Sequence, residues 1–120
     1  MDIAAQQGYS EAVDAIITMD HRGLLVGMNA EAELLFGFRF DDVYQRPVAD
    51  VFVPARLRSQ HMVGLSRYMN RGVGPVIGRA IEVPALHVKG HEFIVSMTIN
   101  RVPDSDPPVF QATLQKQGPT

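Results

Sequence analysis

DAIITMDHRGLLVGMNAEAELLFG, residues 14–37, is the stretch that decides the fold. Residues 15–19 are rich in β-branched side chains, which favour a strand. Asp20-His21-Arg22-Gly23 predicts a hairpin turn, because Gly23 can supply the positive φ that such turns need. Residues 24–28 then pair back as a second strand, so the chain is expected to open with an antiparallel hairpin.

A short capped helix follows this hairpin. Asn29 is a credible N-cap, Glu31 to Phe36 read as helix, and Gly37 is placed to end it. Residues 38–53 contain Asp41-Asp42 and Pro47, which indicate short helical turns rather than a strand.

A longer helix is predicted after Pro54, ending at Gly72. Four of its residues fall on one face at helical spacing: Leu57, His61, Leu65 and Tyr68. The histidine interrupts an apolar stripe, and an unsatisfied buried imidazole costs roughly 1–3 kcal/mol. His61 must therefore hydrogen-bond a core partner, bind a ligand or titrate.

The last third of the chain has the period of strands. Inward positions of a first strand, running up to Pro84, are Ile77, Arg79, Ile81 and Val83. Lys89-Gly90 forms a turn into a second strand, whose inward positions are Phe93, Val95, Met97 and Ile99. Phe110, Ala112 and Leu114 mark a final strand. The whole predicts an α+β fold, a five-stranded antiparallel sheet with the helices packed on one face.

Composition limits the classes of function. The 120 residues suit a single domain, with a core of about 9–116, and a net charge of −2 gives no reason to expect nucleic acid or an anionic membrane as partner. No cysteine is present, which excludes disulfides, thiolate metal sites, cysteine nucleophiles and a cysteinyl–flavin adduct. No apolar run approaches the roughly 20 residues of a membrane span, and the start lacks a secretory signal. A cytoplasmic protein without an enzymatic constellation is expected.

The N-terminal segment carries a short apolar helical pattern before the first strand, with Ser10 as a possible cap. Its apolar residues are Ile3, Ala4, Ala5, Tyr9, Ala12 and Val13. An isolated helix of this length would not persist in water, so it is expected to pack on the sheet or on a second copy of the chain. A homodimer is the favoured prediction.

The order of elements resembles the PAS sensory domain. The likeness rests on residues 14–23, on residues 29–37, and on Lys89-Gly90-His91-Glu92-Phe93, which is similar to an Asp-Gly-x-x-Phe turn of that family with lysine in place of aspartate. The resemblance implies a sensor domain that signals to an effector such as a histidine kinase, cyclase or phosphodiesterase.

Within that family, Arg58-Ser59-Gln60-His61 and Ser66-Arg67-Tyr68 resemble the long helix of oxygen-sensing haem-PAS domains. The resemblance implies that His61 is the proximal iron ligand of haem b and that Arg67 lies near a propionate. It also places Val76, Met97 and Ile99 on the distal wall. The remaining members of the predicted cofactor-binding set are Leu65, Tyr68, Arg79 and Ile81.

Three departures weaken the likeness to oxygen sensors. The oxygen-binding arginine of that group falls on Ile81, its propionate-binding histidine falls on Pro75, and Arg79 stands where a related phosphodiesterase sensor has a distal methionine. The preferred hypothesis is a sensor of O2, CO or NO, or of redox state, through haem. The alternatives are a cofactor-free interaction module, with His61 as a core histidine, and a domain that binds flavin (FAD).

Overall fold

The computed structural model describes residues 14–71 and 77–117. The strands are β1 (Ala15–Met19), β2 (Leu25–Met28), β3 (Ala80–Leu86), β4 (Glu92–Arg101) and β5 (Phe110–Lys116). The helices are α1 (Ala30–Phe36), α2 (Phe40–Val43), α3 (Val48–Phe52) and α4 (Arg58–Arg71), with a 3₁₀ turn at Ala55–Leu57. The predicted N-terminal helix and Val76 lie outside the described residues.

The five strands form one antiparallel sheet in the order β2-β1-β5-β4-β3. The first and last strands in sequence meet at its centre, where Ile17 lies opposite Ala112. This arrangement confirms the predicted α+β fold.

Asn29 joins the first hairpin to α1. Its side-chain oxygen accepts hydrogen bonds from the backbone N–H of Ala32 and of Ile16, both at 2.9 Å, and its amide nitrogen donates to the Asp14 carbonyl at 2.9 Å. The N-cap prediction is confirmed, and the same side chain also anchors β1. Gly37 ends the helix with φ at 85°, in the left-handed region that favours glycine.

The third strand differs from the prediction at both ends. Ile77 makes only an isolated bridge with Ile99, and β3 begins at Ala80. Gly78, at φ 80°, interrupts the extended backbone before the strand starts. The strand then continues through Pro84 to Leu86, where the sequence predicted a stop. Proline is tolerated there because β3 is an edge strand. One side of an edge strand has no neighbouring strand, so a missing N–H on that side breaks no hydrogen bond of the sheet.

The core lies between the sheet and the short helices α1 to α3. Leu25, Ala32, Val43 and Val95 are fully buried there. Helix α4 contributes little, because Tyr68 is its only buried residue. The helix therefore lies over the sheet but packs little against it. No helix in the described part of the chain is long and apolar enough to cross a membrane.

Candidate functional site

A cavity of about 790 Å³ separates α4 from the sheet. Sites for small molecules and cofactors in proteins have volumes of roughly 300–1,000 Å³. The space is therefore large enough for a cofactor or a sizeable organic ligand.

The sheet side of the cavity is entirely apolar. Its lining from the strands and from the bridge residue before β3 consists of Ile17, Met19, Ile77, Val83, Pro84, Ala85, Val95, Met97, Ile99, Phe110, Ala112 and Leu114. Met97 and Ile99 are among these lining residues, while their predicted role in cofactor binding stays a prediction. A ligand against this wall is held by contact and burial, because the wall offers no polar side chain.

Polar lining comes from α4. Ser59, Gln60, His61 and Arg67 all face the cavity from this one helix. The start of the helix is held by Arg58, whose guanidinium donates to the carbonyls of Ala49 at 2.8 Å and Val53 at 3.0 Å. Ala49 belongs to α3 and Val53 directly follows it, so the cation ties the start of α4, with its polar side chains, to α3.

His61 carries the feature with the clearest chemical consequence. Within residues 14–71 and 77–117, its Nε2 is the only buried side-chain nitrogen or oxygen without a hydrogen-bond partner. Desolvation by burial lowers the pKa of the imidazole below its ordinary value, so the neutral ring is favoured. An unpartnered nitrogen of a neutral imidazole, on a residue that lines the cavity, is suited to coordinate a metal centre or to hydrogen-bond a ligand.

The other predicted residues of α4 surround His61 in different environments. Leu65 and Tyr68 line the cavity, and the Tyr68 ring packs edge-on against Phe110 with centroids 4.9 Å apart. Arg67 is exposed yet contributes to the lining, which places a cation at the rim. This combination suits a ligand with an apolar body and an anionic edge.

Two predicted residues do not line the cavity. Arg79 precedes β3 and is exposed, so its predicted inward phase is wrong, because the alternation does not extend past Gly78. Ile81 lies directly opposite Met97 and therefore on the same face of the sheet, but it is absent from the lining. Val76 lies outside the described residues.

The sequence reasoning missed an aromatic floor to the cavity. Phe36 and Phe52 line it, with ring centroids 4.4 Å apart, and Phe36 also packs against Phe93 at 5.8 Å. Phe36, at the end of α1, was predicted as a helical residue without a ligand role. The sequence signal for this cluster was the presence of several phenylalanines, Phe36, Phe38 and Phe52, in the short-helix region. That signal does not show that the rings meet, because only the tertiary fold brings them together.

No group of three or more histidine, aspartate or glutamate side chains is arranged to hold a metal ion in the part of the chain that is described. His21 lies in the β1–β2 turn, and His87 and His91 lie beside the β3–β4 turn. A cofactor that carries its own metal would need a single protein ligand, and His61 could supply it.

Sequence comparison identifies the family. The model of the family described as the PAS fold matches residues 5–107. An uncharacterized protein of Azorhizobium caulinodans is 33% identical over 89 residues, which are 74% of this chain and 12% of that protein. A probable serine/threonine-protein kinase of Dictyostelium discoideum is 25% identical over 88 residues, 73% of this chain and 6% of its own length. The chain thus spans a small fraction of these curated relatives.

Solved structures share the fold. A PAS domain from Colwellia psychrerythraea superposes with a TM-score of 0.69 at 18% identity, covering 87% of this chain and 86% of that one. The PAS domain of the Cronobacter turicensis quorum-sensing receptor RpfR, in complex with C12:0, gives 0.68 at 16% identity, covering 91% and 98%. A PAS domain from a two-component sensor histidine kinase gives 0.65 at 11% identity, covering 88% and 86%. With the family match over most of its length and this shared architecture, the chain belongs to the PAS family of signalling sensor domains.

Proposed function

We propose that this chain is a cytoplasmic PAS sensor domain that binds haem in the cavity through His61 and senses a diatomic gas or redox state. The observation that carries the proposal is the buried, unpartnered Nε2 of His61 beside a cavity of about 790 Å³. Burying a nitrogen without a hydrogen-bond partner costs desolvation free energy, and coordination to iron would offset that cost.

The residues present fit a porphyrin. The apolar sheet wall suits the faces of the ring, while Arg67 at the rim suits a carboxylate edge. Bound haem would supply the iron at which O2, CO or NO coordinates. The chain itself would orient the imidazole and exclude water. Met97 and Ile99, which line the cavity, would contact a small ligand without donating a hydrogen bond to it.

Such a domain reports occupancy to an effector, for which a kinase, cyclase or phosphodiesterase is the expected class. Ligand binding shifts a population between two arrangements of the protein. Helix α4 is suited to that role, because Tyr68 is its only buried residue and the helix packs little against the rest of the domain. A homodimer in which the N-terminal segments pair is part of the same proposal.

The test is absorbance of the purified chain after haem reconstitution. A Soret band is expected in the wild type and in His21→Ala, a control histidine outside the cavity, and should be lost in His61→Ala. A colourless wild type refutes haem binding and favours the cofactor-free module. An unchanged Soret band in His61→Ala refutes the ligand assignment.

A second candidate is an acyl-chain ligand with a carboxyl head group. It is favoured by the apolar sheet wall facing a polar helix, and by the similarity to the Cronobacter receptor domain solved with C12:0. Arg67 would then bind the carboxylate and the chain would lie along Val95 and Met97. Calorimetric titration with dodecanoic acid tests this candidate, and Arg67→Gln should weaken binding. Heat of binding absent at saturating dodecanoate would exclude it.

A further inference from the structure

The turn between β3 and β4 seals the end of α1. The Val88 N–H donates to the Phe36 carbonyl at 2.9 Å, which satisfies a helix-terminal acceptor. Gly37 permits the approach, since a Cβ at that position would lie 2.5 Å from Val88 Cγ1 and 2.8 Å from His87 Cε1. The turn and the helix end are therefore in close contact.

Two histidines flank this turn, which also has backbone hydrogen bonds from the His87 N–H to the His91 carbonyl at 2.9 Å and from the Gly90 N–H to the His87 carbonyl at 2.8 Å. The rings of His87 and His91 stack with centroids 4.5 Å apart and planes inclined by 15°. The Nδ1 of His87 accepts a hydrogen bond from the Lys89 N–H at 3.1 Å. That geometry requires an unprotonated Nδ1, so a second proton on the ring would break the bond and oppose two N–H groups.

The charges around His87 also disfavour its protonation. His91 just before β4, Lys89 in the turn and Lys116 on β5 each act on His87 electrostatically and oppose a positive charge on its ring. Burial, followed by these three groups, lowers the pKa of His87 below its ordinary value.

Two acidic side chains on the neighbouring elements, Glu33 and Glu92, bind other groups than the histidines. Glu33 of α1 accepts from the Phe40 N–H at 2.7 Å, and Glu92 of β4 pairs with Arg56. From α1, the turn meets the backbone at Phe36 and Gly37.

Aromatic contacts connect the pair to the cavity. Both histidine rings pack against Phe93, with centroids 6.2 Å away for His87 and 6.3 Å away for His91. Phe93 in turn contacts Phe36, which lines the cavity. A movement of the turn would therefore reach the aromatic floor through a single intervening ring.

We infer that the His87–His91 pair is a proton-operated latch, which on acidification releases the β3–β4 turn from α1 and lowers retention of an apolar ligand in the cavity. The latch goes beyond haem binding and acts on any occupant. It would add pH as a second input to the sensor.

The test follows amide hydrogen exchange of Val88 by NMR in the ligand-free chain, from about pH 7.5 to about pH 5.5, where histidines titrate. Exchange is expressed as a protection factor, which removes the intrinsic effect of pH. Protection should fall several-fold in step with the ring titration of His87. In His87→Asn, whose side-chain oxygen can still accept from Lys89, protection should stay constant. The control His21→Asn should behave as wild type.

A second readout measures the cavity itself. The probe is Nile red, an uncharged apolar dye, and the measurements use the His61→Leu variant so that the cavity histidine does not titrate. The affinity of this variant for the dye should fall on acidification. It should not fall in the double variant that also carries His87→Asn. Val88 protection that stays constant through the His87 titration, or an equal loss in His87→Asn, would overturn the latch. A dye affinity independent of pH would overturn its coupling to the cavity. Neither result depends on haem.

Discussion

Replacing His61 by leucine should stabilise the ligand-free chain. The buried Nε2 has no partner, and leaving such a group unsatisfied costs about 1–3 kcal/mol. Leucine removes that cost and adds apolar contact with the cavity wall. At about 4 °C per kcal/mol for a domain of this size, the thermal midpoint should rise by about 4–12 °C.

The assay is thermal unfolding followed by circular dichroism, with Asn70→Leu as the matched control. Asn70 is exposed on the same helix, and asparagine and histidine have similar helix propensities, so the control contains the propensity gain of up to about 0.7 kcal/mol. A midpoint for His61→Leu at or below that of the control would refute the reasoning, because it would show that the imidazole is satisfied in solution.

The same variant, His61→Leu, also isolates the contribution of His61 to the pH dependence of folding stability. Desolvation lowers the pKa of His61 in the folded chain below 6.5, so the unfolded chain takes up its proton first as the pH falls. Proton uptake by His61 therefore has no effect on stability above about pH 6.5, and it destabilises the folded chain as the pH falls from there toward the lowered pKa. His61→Leu should lose less stability between pH 7.5 and pH 5.5 than the wild type, by denaturant titration at each pH. An unchanged loss would show that His61 does not titrate on folding.

Three further outcomes are expected. Asn29→Ala should cost about 2–4 kcal/mol in urea unfolding, because three hydrogen bonds that join β1 to α1 are lost, and a cost below about 1 kcal/mol would contradict that role. Gly37→Ala should be more damaging than an alanine at the exposed Gly64, since its φ is 85° and a Cβ would strike Val88; equal midpoints in a thermal scan would argue against a fixed turn. The haem-loaded chain should favour CO over O2 in gas titrations, because the sheet wall around Met97 lacks a donor worth roughly 1.5–3 kcal/mol to O2, and tight O2 binding would exclude an apolar distal side.

Local signals explain what the sequence could predict. Asn29 and Gly37 delimit a helix by their own chemistry, and Gly23 closes a hairpin whose strands are separated by a few residues. Pro54 likewise precedes the turn that leads into α4. These elements depend on neighbours in the chain, so one sequence is enough to place them.

The errors arose where an element depends on distant parts of the chain. Arg79 was predicted to face inward on the assumption that one alternation ran from Ile77 into β3, but the positive φ of Gly78 breaks it and β3 begins only at Ala80. Pro84 ends a central strand but not an edge strand, and β3 is an edge strand only because of the sheet order. The position of His61 on one helix face could be read from the sequence, but the unpartnered state of its Nε2 depends on packing around a cavity that four strands, α1, α3 and α4 form together.

The cavity and the weak burial of α4 have one physical cause. Arg58 ties the helix start to α3, and Arg56 of the preceding turn pairs with Glu92 of β4, whereas the helix face itself packs little against the sheet. An apolar space of this size forgoes contact energy on both of its walls. A bound ligand would supply those contacts, and its binding free energy would therefore also stabilise the position of α4 in which the contacts are made. The element that binds would then also be the element that moves, and no separate pathway from the cavity to the surface would be needed.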